Sequence, residues 1–230
     1  MDNLEMLQLF LKYFSRALML LLVLPITNSA KGIVAKKLGD DSAEREGRIT
    51  LNPVAHLDML GSLCIMLVGF GWSKPLPINF SRMKNVRKGV ICISLTGPVT
   101  HYLSAIVCKI VSFLLLRFAV TSSAEITVPV CLMFIFTLLA QINICLGTIH
   151  LLPLPPMDGF NLIQQFAGAK FNKWYYSNYR MINQASFYIV MLLFFIGPLT
   201  RYAIDPLGWL ISLVDTILSL TLIWLPIVFG

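Results

Sequence analysis

The chain has 230 residues, of which 57% are hydrophobic and 13% are charged, and its mean hydropathy is +0.78. A soluble domain is only about half apolar and roughly a quarter charged, so this composition excludes a water-soluble fold. The net charge of +7 does not indicate a nucleic-acid binder, because basic and aromatic residues do not alternate on any polar module. The composition predicts an all-α integral membrane protein whose first partner is the lipid bilayer.

Five apolar windows approach the length of about 20 residues that a helix needs to cross a bilayer. The fourth window is the shortest and therefore the weakest candidate. In chain order the predicted spans are about Ser15–Val34, Val90–Phe118, Thr127–Leu152, Ser186–Leu199 and Leu207–Phe229.

A shorter apolar run, Leu57–Trp72, lies between the first two predicted spans. It is rich in glycine and is followed by prolines, which suits a re-entrant or hairpin segment better than a full crossing. The residues that carry this prediction are Gly61, Gly69, Gly71, Pro75 and Pro77.

Basic residues concentrate in two stretches, 31–48 and 74–88, with a third group at 170–180, whereas the loop at 121–125 has none. The positive-inside rule places the three basic stretches on the cytoplasmic side. With five spans, the N-terminus is then expected outside and the C-terminus in the cytoplasm.

The sequence shows no internal repeat and no low-complexity linker, which predicts a single membrane domain over residues 1–230. Its five cysteines all lie in apolar segments without CxxC spacing, so neither a disulfide framework nor a cysteine zinc site is expected.

Polar residues at membrane depth are costly, and the few in this chain are therefore candidates for a functional site. Asp158 follows a proline-rich break after the third predicted span, while His101 and His150 lie within predicted spans. Two structural alternatives stay open: Asp158 could cap the next helix from an aqueous loop, and each histidine could be a hydrogen-bonded interior residue. The third histidine, His56, is expected to be a loop or capping residue.

Five collinear motifs resemble the small bacterial branch of the site-2 protease family of intramembrane zinc metallopeptidases. They imply a three-span core over about residues 15–165, additional C-terminal spans at about 184–230, and a bacterial cell membrane as location. The motifs lie at residues 38–43, 47–58 and 69–79, at Gly97-Pro98, and at residues 151–159.

In that family an HExxH motif on the first span supplies two zinc ligands and the general base, and a later Asp-Gly supplies the third protein ligand. Asp158 matches this third ligand. Aligned by the Leu-Gly-Asp that follows, HExxH falls on Thr27-Asn28-Ser29-Ala30-Lys31. Thr27 and Lys31 therefore occupy the lost histidine positions and Asn28 the position of the base, so the usual zinc hydrolysis cannot run on these side chains.

Two further departures concern residues that line the family's active-site cleft, where the motifs usually read Gly-Pro-x-x-Asn and Asn-Leu-Leu-Pro. This chain has His101 and His150 in place of the two asparagines. The predicted cleft thus comprises Thr27, Asn28, Lys31, His101, His150 and Asp158.

The leading hypothesis is a catalytically inactive pseudoprotease, without a cofactor, that binds or sequesters a membrane-embedded protein or helix. One alternative is a zinc-dependent endopeptidase with a rearranged site formed by His101, His150 and Asp158. A second alternative is a transporter or channel-like protein, although no paired half-helices are visible.

The most specific prediction is that Lys31 stands in for the missing zinc. A carboxylate buried without a cation would cost several kcal/mol, and the ammonium of Lys31 can reach Asp158 from the first span. The competing interpretation is that Lys31 belongs to the cytoplasmic basic cluster and extends to the membrane surface.

Overall fold

The structure is a computed structural model that describes residues 3–69, 71–120 and 128–225. Helices, turns and extended loops make up these ranges, and no strand occurs in them. Within these ranges, four helices are long and apolar enough to cross a membrane by length and composition. We label them α1 (Asn3–Leu38), α3 (Val86–Val120), α4 (Val128–His150) and α7 (Tyr179–Leu199).

Helix α1 is continuous over 36 residues but changes its winding at a π-helical turn, Met19–Val23. Pro25 lies two residues after the end of this turn. Because proline has no backbone N–H to donate, a local change of winding helps the helix to continue through it. The helix ends at Gly39, whose φ of 112° is in the left-handed region that glycine adopts without a Cβ penalty.

The re-entrant prediction falls on helix α2 (Met59–Leu67), which has only nine residues and cannot cross a bilayer. Asp58 caps its start by accepting a hydrogen bond from the amide of Gly61, at 2.8 Å. The chain then returns in an extended segment over residues 71–79, while Phe70 lies outside the described residues.

The two arms of this hairpin approach each other backbone to backbone. A Cβ on Gly61 would overlap the carbonyl oxygen of Trp72, and a Cβ on Gly71 would overlap that of Gly61. Only glycine at both positions permits this approach.

Helices α3 and α4 form the principal packed pair, and α1 lies against both. The apolar core between them includes the fully buried Met19 and Ile149 on the facing sides of α1 and α4. Helix α3 contains Pro98, which has no backbone N–H and so removes one hydrogen bond from the interior of the helix.

Four helices follow α4 in the described part of the chain, and the longest of them packs against the same apolar core through Val190. Besides α7 these are the shorter helices α5 (Asp158–Gln164), α6 (Ala169–Ser177) and α8 (Pro206–Leu220).

The sequence-based prediction of an all-α membrane protein is confirmed. The described part of the chain contains four helices of membrane-spanning length, against about five predicted spans. Helix α8, on the fifth predicted span, has 15 residues, and residues 226–230 lie outside the described ranges. The fourth span, judged short from the sequence, belongs to a helix of 21 residues because polar residues from Tyr179 onward extend it. The orientation of the two termini stays a prediction. The side of the membrane on which the loop without basic residues lies also stays a prediction, since residues 121–127 are not described.

Candidate functional site

A cleft of about 450 Å³ opens between α1, α3, the end of α4 and the extended arm of the hairpin. Apolar side chains such as Ile93 and Leu146 form part of its wall. The polar side chains predicted from the sequence all line this one cleft: Thr27, Asn28, Lys31, His101, His150 and Asp158.

An ion pair joins the first span to the start of α5. The Nζ of Lys31 lies 2.6 Å from Oδ2 of Asp158, and both side chains are only 13% exposed. The same carboxylate oxygen accepts a hydrogen bond from Nδ1 of His150 at 2.9 Å. The predicted pairing of Lys31 with Asp158 is therefore present, and the alternative of a lysine extended to the membrane surface is wrong.

Gly97 on α3 makes room for this pair. A Cβ at this position would lie 2.5 Å from Cε and 2.8 Å from Nζ of Lys31, and 3.2 Å from Oδ2 of Asp158. Because Lys31 and Asp158 line the cleft, a Cβ here would push the flexible end of Lys31 into the cleft and away from its observed geometry with Asp158. The glycine of the Gly-Pro motif is thus a space requirement of the ion pair.

Asp158 is held as a carboxylate by its two partners. Burial alone would raise the pKa of Asp158, but the hydrogen bond from His150 and the charge of Lys31 outweigh burial and hold the pKa below its usual value. The group is therefore negative at neutral pH, as an ion pair requires.

The other two side chains predicted to lie at the lost motif, Thr27 and Asn28, are buried without full hydrogen bonding. Thr27 and Asn28 are 3% and 8% exposed. The Oγ1 of Thr27 and the Nδ2 of Asn28 have no partner within the described residues, and Oδ1 of Asn28 has one long contact of 3.5 Å, from Ser73. Buried groups of this kind usually bind water or a ligand, since an unsatisfied donor costs about 1–3 kcal/mol.

His101 and His150 are neighbours but serve different partners. Nδ1 of His101 donates to Oδ1 of Asn143 at 3.0 Å, because the amide nitrogen of Asn143 is itself committed to the carbonyl of Leu139. The centroids of the two imidazole rings are 5.8 Å apart. His150 instead contacts Asp158. The three residues of the rearranged-site hypothesis therefore form two separate contacts, His101 with His150 and His150 with Asp158.

These residues do not match the donor set of a catalytic zinc site, which needs three histidine or acidic ligands around one point. Among the described residues, no three His, Cys, Asp or Glu side chains are grouped so that they could hold a metal ion. An ammonium at 2.6 Å from Asp158 also occupies the space that an ion bound to this carboxylate would need. We therefore derive no reaction step through zinc.

Three buried polar residues fix the extended arm that forms one wall of the cleft. Asp40, which is fully buried, accepts a hydrogen bond from the amide of Asn79 at 2.7 Å. Arg48 donates to the carbonyl of Lys74 at 3.0 Å, and the carbonyl of His56 accepts from the amide of Lys74 at 2.8 Å. His56 is thus a structural loop residue, as expected, although it is fully buried.

Sequence reasoning missed the roles of Gly97, Asn143 and Asp40. Asn143 could have been found, because it is an amide inside an apolar span and needs a partner there. Asp40 was used only to align the motif, although an acid that follows a helix-ending glycine commonly fixes a loop. Gly97 has no functional side chain, so its role of leaving space could not be predicted before the positions of Lys31 and Asp158 were known.

Comparison with known proteins identifies the family. No protein-family model matches the chain, and no solved structure matches it. A protein of Bacillus subtilis (strain 168), named "Putative zinc metalloprotease YwhC", is 32% identical over 202 residues, which covers 85% of this chain and 89% of YwhC. This degree of identity over nearly the whole length of both proteins agrees with the motif resemblance, and the chain therefore belongs to the site-2 protease-like family of membrane proteins that includes YwhC.

Proposed function

We propose that this protein is a pseudoprotease: it keeps the membrane fold and cleft of its family and binds a membrane-embedded protein segment there without cutting it. The observation that carries the proposal is the Lys31–Asp158 ion pair, which places a protein cation where the family chemistry needs a divalent metal.

The side chains at the other two positions of the lost motif support the same conclusion. Asn28 can orient a water molecule but cannot take its proton near neutral pH, and the hydroxyl of Thr27 is a poor metal ligand. Hydrolysis of a peptide would need both a base and a Lewis acid at this place.

Binding of a polypeptide is supported by the shape and chemistry of the cleft. Its volume of about 450 Å³ is within the usual range of ligand sites, and apolar walls surround a few polar groups. The unsatisfied oxygen of Thr27 and nitrogen of Asn28 can hydrogen-bond a peptide backbone that enters the cleft.

The rearranged zinc enzyme is the weaker hypothesis, because His101 and His150 each direct Nδ1 to a different partner, Asn143 and Asp158. Metal analysis of the purified protein and of Asp158→Ala separates the two hypotheses. The pseudoprotease predicts no stoichiometric zinc in either protein, whereas zinc bound by the parent and lost in the variant supports the enzyme.

A gain-of-function experiment tests the reason for inactivity. The triple variant Thr27→His, Asn28→Glu, Lys31→His restores the family donor set, and we expect it to bind zinc at an affinity that the parent lacks. A matched control, Thr27→His with Asn28→Glu but with Lys31 retained, keeps the ammonium on Asp158 and should not bind zinc stoichiometrically. Zinc-dependent cleavage of a membrane-embedded peptide by the unaltered protein would refute the proposal.

A further inference from the structure

A second polar cavity lies away from the cleft, between α1, α4, α8 and the tip of the re-entrant hairpin. It has a volume of about 530 Å³. Its polar lining consists of Lys12, Arg16, Gln141, Ser212 and Asp215. From Lys12 to Lys36 the continuous helix α1 rises about 36 Å, so Lys12 lies near the membrane interface opposite to the basic cluster that borders the cleft.

Arg16 is a buried guanidinium whose hydrogen bonds are only partly used. It is 8% exposed and donates Nη1 to the carbonyls of Met66 and Leu67, at 2.7 and 2.9 Å, and Nη2 to that of Val68, at 3.1 Å. These bonds neutralise the C-terminal end of α2. A guanidinium has five N–H donors, so two of them remain for a ligand in the cavity.

Lys12 lies one helical turn before Arg16 on the same face of α1. No ion pair or hydrogen bond of its ammonium occurs among the residues that the structure describes. The one carboxylate of the cavity, Asp215, is already paired with Lys109 at 2.6 Å. Since Lys109, from outside the cavity lining, already balances Asp215, the charges of Lys12 and Arg16 are not compensated by that carboxylate.

Part of the cavity wall is apolar and is formed by Val68, Leu138, Ile142 and Ile211. Lys12 and Leu138 also line a neighbouring cavity of about 400 Å³ between α1 and α4, toward the N-terminal end of α1. The rest of its lining is mixed and consists of Glu5, Gln8, Leu9 and Phe134. A basic end that continues into a groove with the apolar side chains Leu9, Phe134 and Leu138 matches the form of a phospholipid.

We infer that this cavity binds one anionic phospholipid, with the phosphate between Lys12 and the free donors of Arg16 and an acyl chain along the groove between α1 and α4. A fixed lipid there would supply the negative charge that the cluster lacks and would cover apolar side chains of both helices.

Native mass spectrometry of the detergent-purified protein tests this, with phosphatidylglycerol as the anionic probe, phosphatidylcholine as the neutral one and inorganic phosphate alone. We expect phosphatidylglycerol to bind the parent and Lys12→Gln to weaken it about tenfold. Lys173→Gln, which removes an equal charge on α6, should leave the affinity unchanged. Ile142→Trp fills the groove and should also weaken lipid binding while leaving Lys12 in place.

Three outcomes would overturn the inference. Equal binding of phosphatidylglycerol by Lys12→Gln and the parent would show that the cluster is not the site. Equal binding of phosphatidylcholine would show that the charge is not recognised. Binding of inorganic phosphate as tight as that of the lipid, unaffected by Ile142→Trp, would assign the site to a free anion.

Discussion

Replacing Lys31 by Met tests the ion pair at the centre of the cleft. The two side chains are 13% exposed, so removing the cation leaves a buried carboxylate with His150 as its one remaining partner. Breaking a buried pair by deleting one member costs about 3–5 kcal/mol, and the hydrogen bond from His150 offsets part of this. We expect Lys31→Met to lower the free energy of unfolding by about 2–3 kcal/mol.

The double variant Lys31→Met, Asp158→Asn removes the uncompensated charge as well, so most of the lost stability should return. Lys36→Met is a matched control, because the same substitution on the same helix breaks a pair of equal length, Lys36–Glu44 at 2.6 Å, whose side chains are about half exposed. An exposed pair contributes about 0–1 kcal/mol. Equal losses in Lys31→Met and Lys36→Met would refute the importance of burial.

The contribution of Asp158 to the free energy of unfolding should decrease in acid. Because the pKa of Asp158 is lowered in the folded protein, its contribution to stability is present above the unfolded value of about 3.9 and is lost as the pH falls through the folded value. The difference between the parent and Lys31→Met should therefore shrink in acid. Reversible unfolding in mixed detergent micelles at neutral and acidic pH measures this, and a difference that grows in acid would contradict the assignment.

Three further variants test the surroundings of the pair. Gly97→Ala should destabilise the parent by about 1–3 kcal/mol, because the added methyl displaces the ammonium, and should cost less in the Lys31→Met background. Asp40→Ala should cost about 2–3 kcal/mol and increase hydrogen exchange at the amide of Asn79, which loses its acceptor. Arg16→Met should cost about 3 kcal/mol in micellar unfolding, because three carbonyls at the end of α2 lose their donor, whereas Arg16→Lys should retain part of the stability.

Much of the helical architecture was predictable because apolar length is a direct requirement of the bilayer. The ends of the spans were less predictable. Helix α7 begins at polar residues that a hydropathy window discards, and α8 is shorter than its apolar run because a turn follows Leu220. Hydropathy reports where a segment can be buried, while hydrogen bonding decides where a helix ends.

The Lys31–Asp158 ion pair was predictable because the family resemblance places these two positions on opposite sides of the same cleft. The family resemblance predicts a lysine at the position of a metal ligand and an acid across the cleft, and this combination leaves few ways to balance the charge. The role of Arg16 was not predicted, although a charge inside the first predicted span was a visible signal. Its partners are backbone carbonyls, and these carry no mark in the sequence.

The contact between Gly61 and Gly71 has a mechanical consequence. Where two chain segments touch through side chains, rotamer changes can absorb small relative movements. A direct contact between two backbones cannot absorb such movements in this way. The helical arm, whose end Arg16 holds, and the extended arm, which carries Trp72 into the cleft wall, must then shift together. A displacement at the tip of the hairpin, where Arg16 binds, would therefore change the width of the cleft.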